Sequence, residues 1–148
     1  MPSVRLAAAF AAGAVLATAS SAQAADPVEG LWLVQAGNAK VRVSPCAADK
    51  ARMCGQITWL KNATDQAGQP VKDTRNPDAG QRNRPIVGLL MIRDFKQAGP
   101  GRWTGGKIYD PNSGKTYGSK MTANADGTLK VEGCIAVVCQ AQTWKRTN

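Results

Sequence analysis

From Arg102 to Arg146 polar and apolar residues alternate in runs separated by turn-forming residues, and the turns set each run in register with the next. The runs RWTGGKIY and KTYGSKMTA flank Asp110-Pro111-Asn112-Ser113-Gly114. Pro presets φ, Asp and Asn bond their own backbone, and the final Gly can take a positive φ. A five-residue loop over these residues pairs Tyr109 with Lys115, Lys107 with Tyr117, Gly105 with Ser119 and Trp103 with Met121. Arg102, Thr104 and Lys120 then share the polar face. A four-residue loop would set Trp103 opposite Thr122 and mix the faces, a slip that a half-buried sheet resists. The next turn, Ala125-Asp126-Gly127, pairs Ala123 with Leu129 and Met121 with Val131, and sets Lys120 against Glu132 on the outer face. Cys134 then faces Cys139, which aligns Glu132 with Ala141, Val131 with Gln142 and Leu129 with Trp144.

The inner face so defined holds Trp103, Lys107, Tyr109, Tyr117, Ser119, Met121, Leu129, Val131, Gln140, Gln142 and Trp144. One lysine and two glutamines make it more polar than a packed core, and it reads as the wall of a cavity. The alternative is a filled core in which Lys107 carries its head to a rim and the glutamines bond to backbone.

Upstream, Gly30 to Val34 is a short apolar strand, and Ala39 to Ser44 alternates with Ala39, Val41 and Val43 inward. Gln56 to Leu60 alternates again, with Ile57 and Trp59 inward. Lys61 to Pro85 shows no periodicity. Its mixed charges, Asp73, Arg75, Asp78, Arg82 and Arg84 with Asn76 and Pro77 among them, suit either a lid held by salt bridges and Asx turns or a solvated irregular connection. Ile86 to Phe95 is apolar on both faces and reads as a strand covered on both sides. Eight short antiparallel strands in sequence order predict an all-β protein, an eight-stranded antiparallel up-and-down barrel. A two-sheet sandwich is the alternative.

Residues 1–24 carry Arg5, an apolar run from Leu6 to Ala19 and Ala22-Gln23-Ala24, the pattern of a cleaved secretory signal peptide. Residues 25–148 form the single barrel domain, expected to be periplasmic or secreted, with no transmembrane anchor. The net charge of +9 includes Arg5, so the mature chain is strongly basic. That charge suits an anionic envelope surface or simple solubility, and its even spread does not suggest nucleic acid. Four cysteines in an exported chain predict disulfides. The hairpin register pairs Cys134 with Cys139 and leaves Cys46 for Cys54. Zinc is disfavoured by the absence of histidine and of any C-x-x-C pair.

The segments Gly30-Leu31-Trp32, Cys54-Gly55-Gln56-Ile57-Thr58-Trp59-Leu60, Asn76-Pro77-Asp78, Arg84-Pro85, Gly101-Arg102-Trp103, Gly105-Gly106-Lys107-Ile108-Tyr109, Gly114-Lys115-Thr116-Tyr117 and Gln142-Thr143-Trp144, taken in this order, resemble the bacterial secreted family known as domain of unknown function 2147. That family has no agreed activity, so the resemblance carries over no functional residue. It does imply a lipocalin-like barrel. In lipocalins a Gly-x-Trp of the first strand packs under a basic residue of the last, which casts Trp32 and Arg146 as the closure of the barrel base, with Trp144 beside them.

No histidine is present to activate a serine or cysteine nucleophile. Asp73 and Asp78 are better suited to capping turns than to paired-carboxylate work. Gly114-Lys115-Thr116 lacks the earlier glycine and the strand-to-helix setting of a phosphate loop. The chain therefore reads as a binding protein and not an enzyme, with no cofactor. The expected ligand is a small amphiphilic or hydrophobic molecule held by Trp59, Trp103, Lys107, Tyr109, Tyr117, Met121 and Gln142, with Lys107 fixing an anionic head group. The second class is an envelope interaction or structural module with a filled core, acting through its basic surface. An inhibitor or chaperone-like partner protein is a third.

Overall fold

The computed structural model describes residue 19 and residues 22–148, so the expected signal peptide lies almost wholly outside the described residues. Eight strands follow in order: β1 (Gly30–Leu33), β2 (Ala39–Pro45), β3 (Arg52–Leu60), β4 (Leu90–Gly99), β5 (Arg102–Asp110), β6 (Lys115–Ala123), β7 (Leu129–Ile135) and β8 (Val138–Arg146). Each pairs with its sequence neighbour, and β1 meets β8 to close an antiparallel barrel. Up-and-down order puts the β1–β2, β3–β4, β5–β6 and β7–β8 connections at one end and the remaining connections at the other.

The second end, the base, is packed. Trp32, Met53, Phe95, Trp103, Met121 and Trp144 are each at most 5% exposed there, so the strands are held together by burial of large side chains. Arg146 closes the seam beside them. Trp32 and Arg146 are register partners, and the guanidinium lies 4.3 Å from the Trp32 ring centroid. Arg146 Nη1 donates to the Glu29 carbonyl at 2.9 Å and Nη2 to the Pro27 carbonyl at 2.8 Å. Gly30, at φ 142°, leaves the space that Nη1 occupies. Trp32 Nε1 donates to the Val28 carbonyl at 2.8 Å.

The β6–β7 and β7–β8 registers match the turn-based expectation, including Met121 with Val131, Leu129 with Trp144 and Cys134 with Cys139. Both expected disulfides are formed, Cys46–Cys54 and Cys134–Cys139.

Bulges in β5 and β3 overturn the facing expected there, because each adds one residue to a strand and reverses the alternation beyond it, and β4 carries register shifts of its own. In β5 the pairing Trp103–Met121 holds, but the register shifts before Gly106–Ser119 and runs on to Asp110–Lys115. The loop is therefore four residues long, and the extra residue sits at Thr104-Gly105, with Gly105 at φ 66°. Gly106 and Ile108 face inward, and Lys107 and Tyr109 face outward, the reverse of the sequence expectation. The site of the bulge follows from packing: the Phe95 ring occupies the place that a Cβ on Gly106 would take. In β3 the shift between Lys40–Trp59 and Val41–Ile57 turns Trp59 outward, 40% exposed, with Lys40 Nζ 5.6 Å from its ring centroid. In β4 Asp94, at φ 64°, allows Ile92 and Phe95 to point inward although they are three residues apart.

The strand expected from Ile86 begins at Leu90. Ile86 and Leu89 are buried at the end of the preceding segment, whereas Val87 and Leu90 are exposed, so the apolar run is not a strand covered on both sides.

Candidate functional site

Above the packed base the barrel is hollow. A cavity of about 880 Å³ opens at the end formed by the β1–β2, β3–β4, β5–β6 and β7–β8 connections. Ile57, Met91, Ile108, Tyr117 and Val131 line its wall, and Val71 and Ile86 lie at its mouth. Gly133 adds room: a Cβ there would stand 3.8 Å from both Ile108 Cγ2 and Tyr117 Cβ, an ordinary contact distance. The polar lining is mainly uncharged, with Gln35, Asn38, Asn62, Asn112, Gln140 and Gln142. Asp110 is the one charged lining residue among the described residues, and its carboxylate accepts from Asn112 N at 2.9 Å and from Ser113 Oγ at 2.7 Å. It is engaged in its own turn.

Of the seven residues expected to bind ligand, Tyr117 and Gln142 line this cavity. Gln142 Oε1 also accepts from Trp144 Nε1 at 2.9 Å, which fixes its orientation. Trp103 and Met121 lie deeper, within the packed base. Trp59, Lys107 and Tyr109 stand on the outer wall, for the bulge reasons given above. No lysine or arginine lines the cavity among the described residues. Alternation alone missed Ile108 and Gly133, yet a signal existed: two adjacent glycines inside a strand, Gly105-Gly106, mark a bulge or a close approach.

The segment between β3 and β4 is an ordered strap across the outer wall. Bridges Thr64–Pro70 and Lys72–Pro85 fold it on itself, and Asp78 caps a 3-10 turn at Ala79–Gln81. Asp73, fully buried, is its anchor. Its carboxylate accepts from Tyr109 Oη at 2.6 Å, Asn76 Nδ2 at 2.8 Å and Arg84 Nη2 at 3.0 Å. A buried carboxylate is tolerable only when paired and hydrogen-bonded, and here every partner comes from the strap or from the wall that it covers. The segment is ordered, held by a salt bridge and a capped turn, and is not a solvated irregular connection. Burial pushes the Tyr109 hydroxyl up to about 12, and its hydrogen bond to Asp73 and that carboxylate's charge act in the same direction. Asp78 acts as a turn cap, its Oδ1 accepting from Gly80 N at 2.9 Å.

The model of a bacterial protein family described as uncharacterized and conserved in bacteria, DUF2147, matches residues 30–146. Among solved structures, protein HP1028 from the human pathogen Helicobacter pylori, described as belonging to the lipocalin family, aligns with a TM-score of 0.70 and 22% identity. The alignment covers 82% of this chain and 83% of that one, and at this identity it speaks for a shared fold. No curated protein matches the chain.

Proposed function

The chain belongs to the DUF2147 family, and on that premise we propose that it is an exported, non-enzymatic binding protein that carries a small hydrophobic or amphiphilic molecule in the open half of a lipocalin-like barrel. The observation that carries the reading is the cavity of about 880 Å³, whose largely apolar wall also presents the uncharged side chains of Gln140 and Gln142. Its size lies within the range of small-molecule sites, and a few convergent polar groups in an apolar pocket are the usual means of orienting a ligand. The two disulfides support export, since such bonds persist in oxidising compartments. With Lys107 on the outer wall, the described residues that line the cavity offer no cation to a carboxylate or phosphate. The favoured ligand is therefore an apolar body with a neutral hydroxyl, ester or amide head, which the glutamines and asparagines can address.

Gly133→Leu tests the reading. The new side chain would extend into the cavity without displacing backbone, so uptake of a long-chain alcohol or an apolar dye should fall by about tenfold or more, in line with the apolar burial it pre-empts. The denaturation midpoint should hold or rise, because a strand glycine is entropically costly. Undiminished uptake by a folded Gly133→Leu protein would show that ligands do not bind in the cavity. Native mass spectrometry of gently purified protein, followed by organic extraction, identifies the ligand class.

A further inference from the structure

The tip of the β7–β8 hairpin is built against turn chemistry. Two-residue hairpin loops favour Asn, Asp and Gly, because positive φ is needed there. This tip reads Ile135-Ala136-Val137-Val138, and Ala136 is held at φ 50°. Ile135 is 71% exposed, Val137 95% and Val138 71%, so the tip gains little from packing. Directly beneath it the Cys134–Cys139 disulfide staples the two strands. A run of exposed apolar residues that breaks a local rule is expected at functional positions. The tip is rigid, hydrophobic and set on the cavity mouth, which Ile135 and Val138 help to line.

Basic side chains accompany the tip at the open end. At the open end the strap exposes Lys61, Lys72, Arg75 and Arg82 against Asp65 and Asp78, with Asp73 buried under Arg84. The exposed charge of the strap is thus net basic. We propose that the protein docks by its open end on an anionic lipid bilayer, with the Ile135–Val138 tip entering the interface and the strap lysines and arginines meeting the head groups. Apolar insertion beside basic side chains is the general means by which a peripheral protein binds such a surface. Trp59, exposed near the same end beside Lys40, is an amphipathic ring of the kind that settles at head-group level. The orientation presents the cavity mouth to the bilayer. Docking itself rests on the rim alone; exchange of cargo through it rests on the binding function proposed above.

The test is co-sedimentation of the purified protein with vesicles of phosphatidylglycerol and phosphatidylcholine in equal parts, compared with phosphatidylcholine alone. Binding is expected to the anionic vesicles and to weaken as salt rises. Val137→Asp should reduce it about tenfold, by losing a buried side chain and adding a repelled charge. Lys61→Gln and Lys72→Gln should each reduce it about fivefold, whereas Lys50→Gln at the base should leave it unchanged. Val137→Asn, which suits the turn, should weaken binding without any loss of thermal stability. Gly133→Leu, with its cavity filled, should dock as well as the parent, which separates failure of docking from failure of ligand binding. Absence of vesicle binding, equal binding to neutral vesicles, or indifference to Val137→Asp would overturn the proposal. So would a tip that instead joined two copies of the chain, seen as a dimer abolished by Val137→Asp.

Discussion

Gly106 and Gly133 show how much depends on which glycine is meant. Both face into the barrel, but a Cβ on Gly106 would overlap the Phe95 ring, whereas one on Gly133 would meet its neighbours at 3.8 Å. Gly106→Ala should therefore cost about 1–3 kcal/mol through overpacking, and Gly133→Ala should be neutral or mildly stabilising. Denaturant midpoints of the two variants check the contrast. Tyr109 gives a second residue-scale test. Folding raises its pKa from the ordinary value of 10.0 to about 12, so the fold favours the neutral phenol. Its contribution is complete below pH 10 and is lost as pH rises through about 12. In a Tyr117→Phe variant, absorbance should report a single tyrosine ionising near 12, together with alkaline unfolding; ionisation near 10 in the folded protein would contradict the buried Asp73 contact. The side-chain facings that sequence misassigned, Trp59, Lys107 and Tyr109, all lie beyond a bulge. Alternation is a local signal, and a single inserted residue inverts it without leaving a hydrophobic trace.

Among the elements, hairpins joined by short turns were legible and the strap was not. The β6–β7 and β7–β8 registers followed from Ala125-Asp126-Gly127 and from the facing cysteines, because both flanking runs alternate without interruption. The strap has no periodicity to read. What holds it is one buried carboxylate whose partners, Asn76, Arg84 and Tyr109, lie 3, 11 and 36 residues from it in sequence. The apolar run from Ile86 misled for a related reason: Ile86 and Leu89 are buried ahead of the strand, with Ile86 at the cavity mouth. The least extensive junction is between β1 and β8, where two residue pairs, Trp32–Arg146 and Leu33–Lys145, are in register. Arg146→Ala should lower stability by about 2–3 kcal/mol, since charge-assisted hydrogen bonds and a stacked cation are lost together. Arg146→Lys should recover little, because an ammonium cannot present the planar fork that reaches two carbonyls over an indole face. Thermal unfolding of the pair decides this.

Over the whole molecule, stability and binding are divided between the two ends of one barrel. The base holds most of the large buried side chains and the open half holds the void, so local stability should fall from one to the other. Hydrogen exchange should be slowest at Met53, Phe95, Met121 and Trp144, and faster at β-strand amides bordering the cavity such as Gly133 and Gln140. Ligand should slow exchange chiefly in the second group. Uniform protection along β7 and β8 would contradict this division. Sequence anticipated a polar-apolar inner wall and hence a cavity, but placed it too deep, since nothing local distinguishes Trp103 in a packed floor from a tryptophan in a pocket.

The Arg146 clasp also bears on how these molecules behave in company. A closed barrel has no free edge, and if β8 parts from β1 it bares two at once, each a row of unpaired amides and carbonyls. Such edges are templates for a neighbouring chain, and a second molecule opened at the same place offers the complementary pair, the geometry of strand exchange. The guanidinium that grips the Pro27 and Glu29 carbonyls thus guards against swapped assemblies as well as against unfolding.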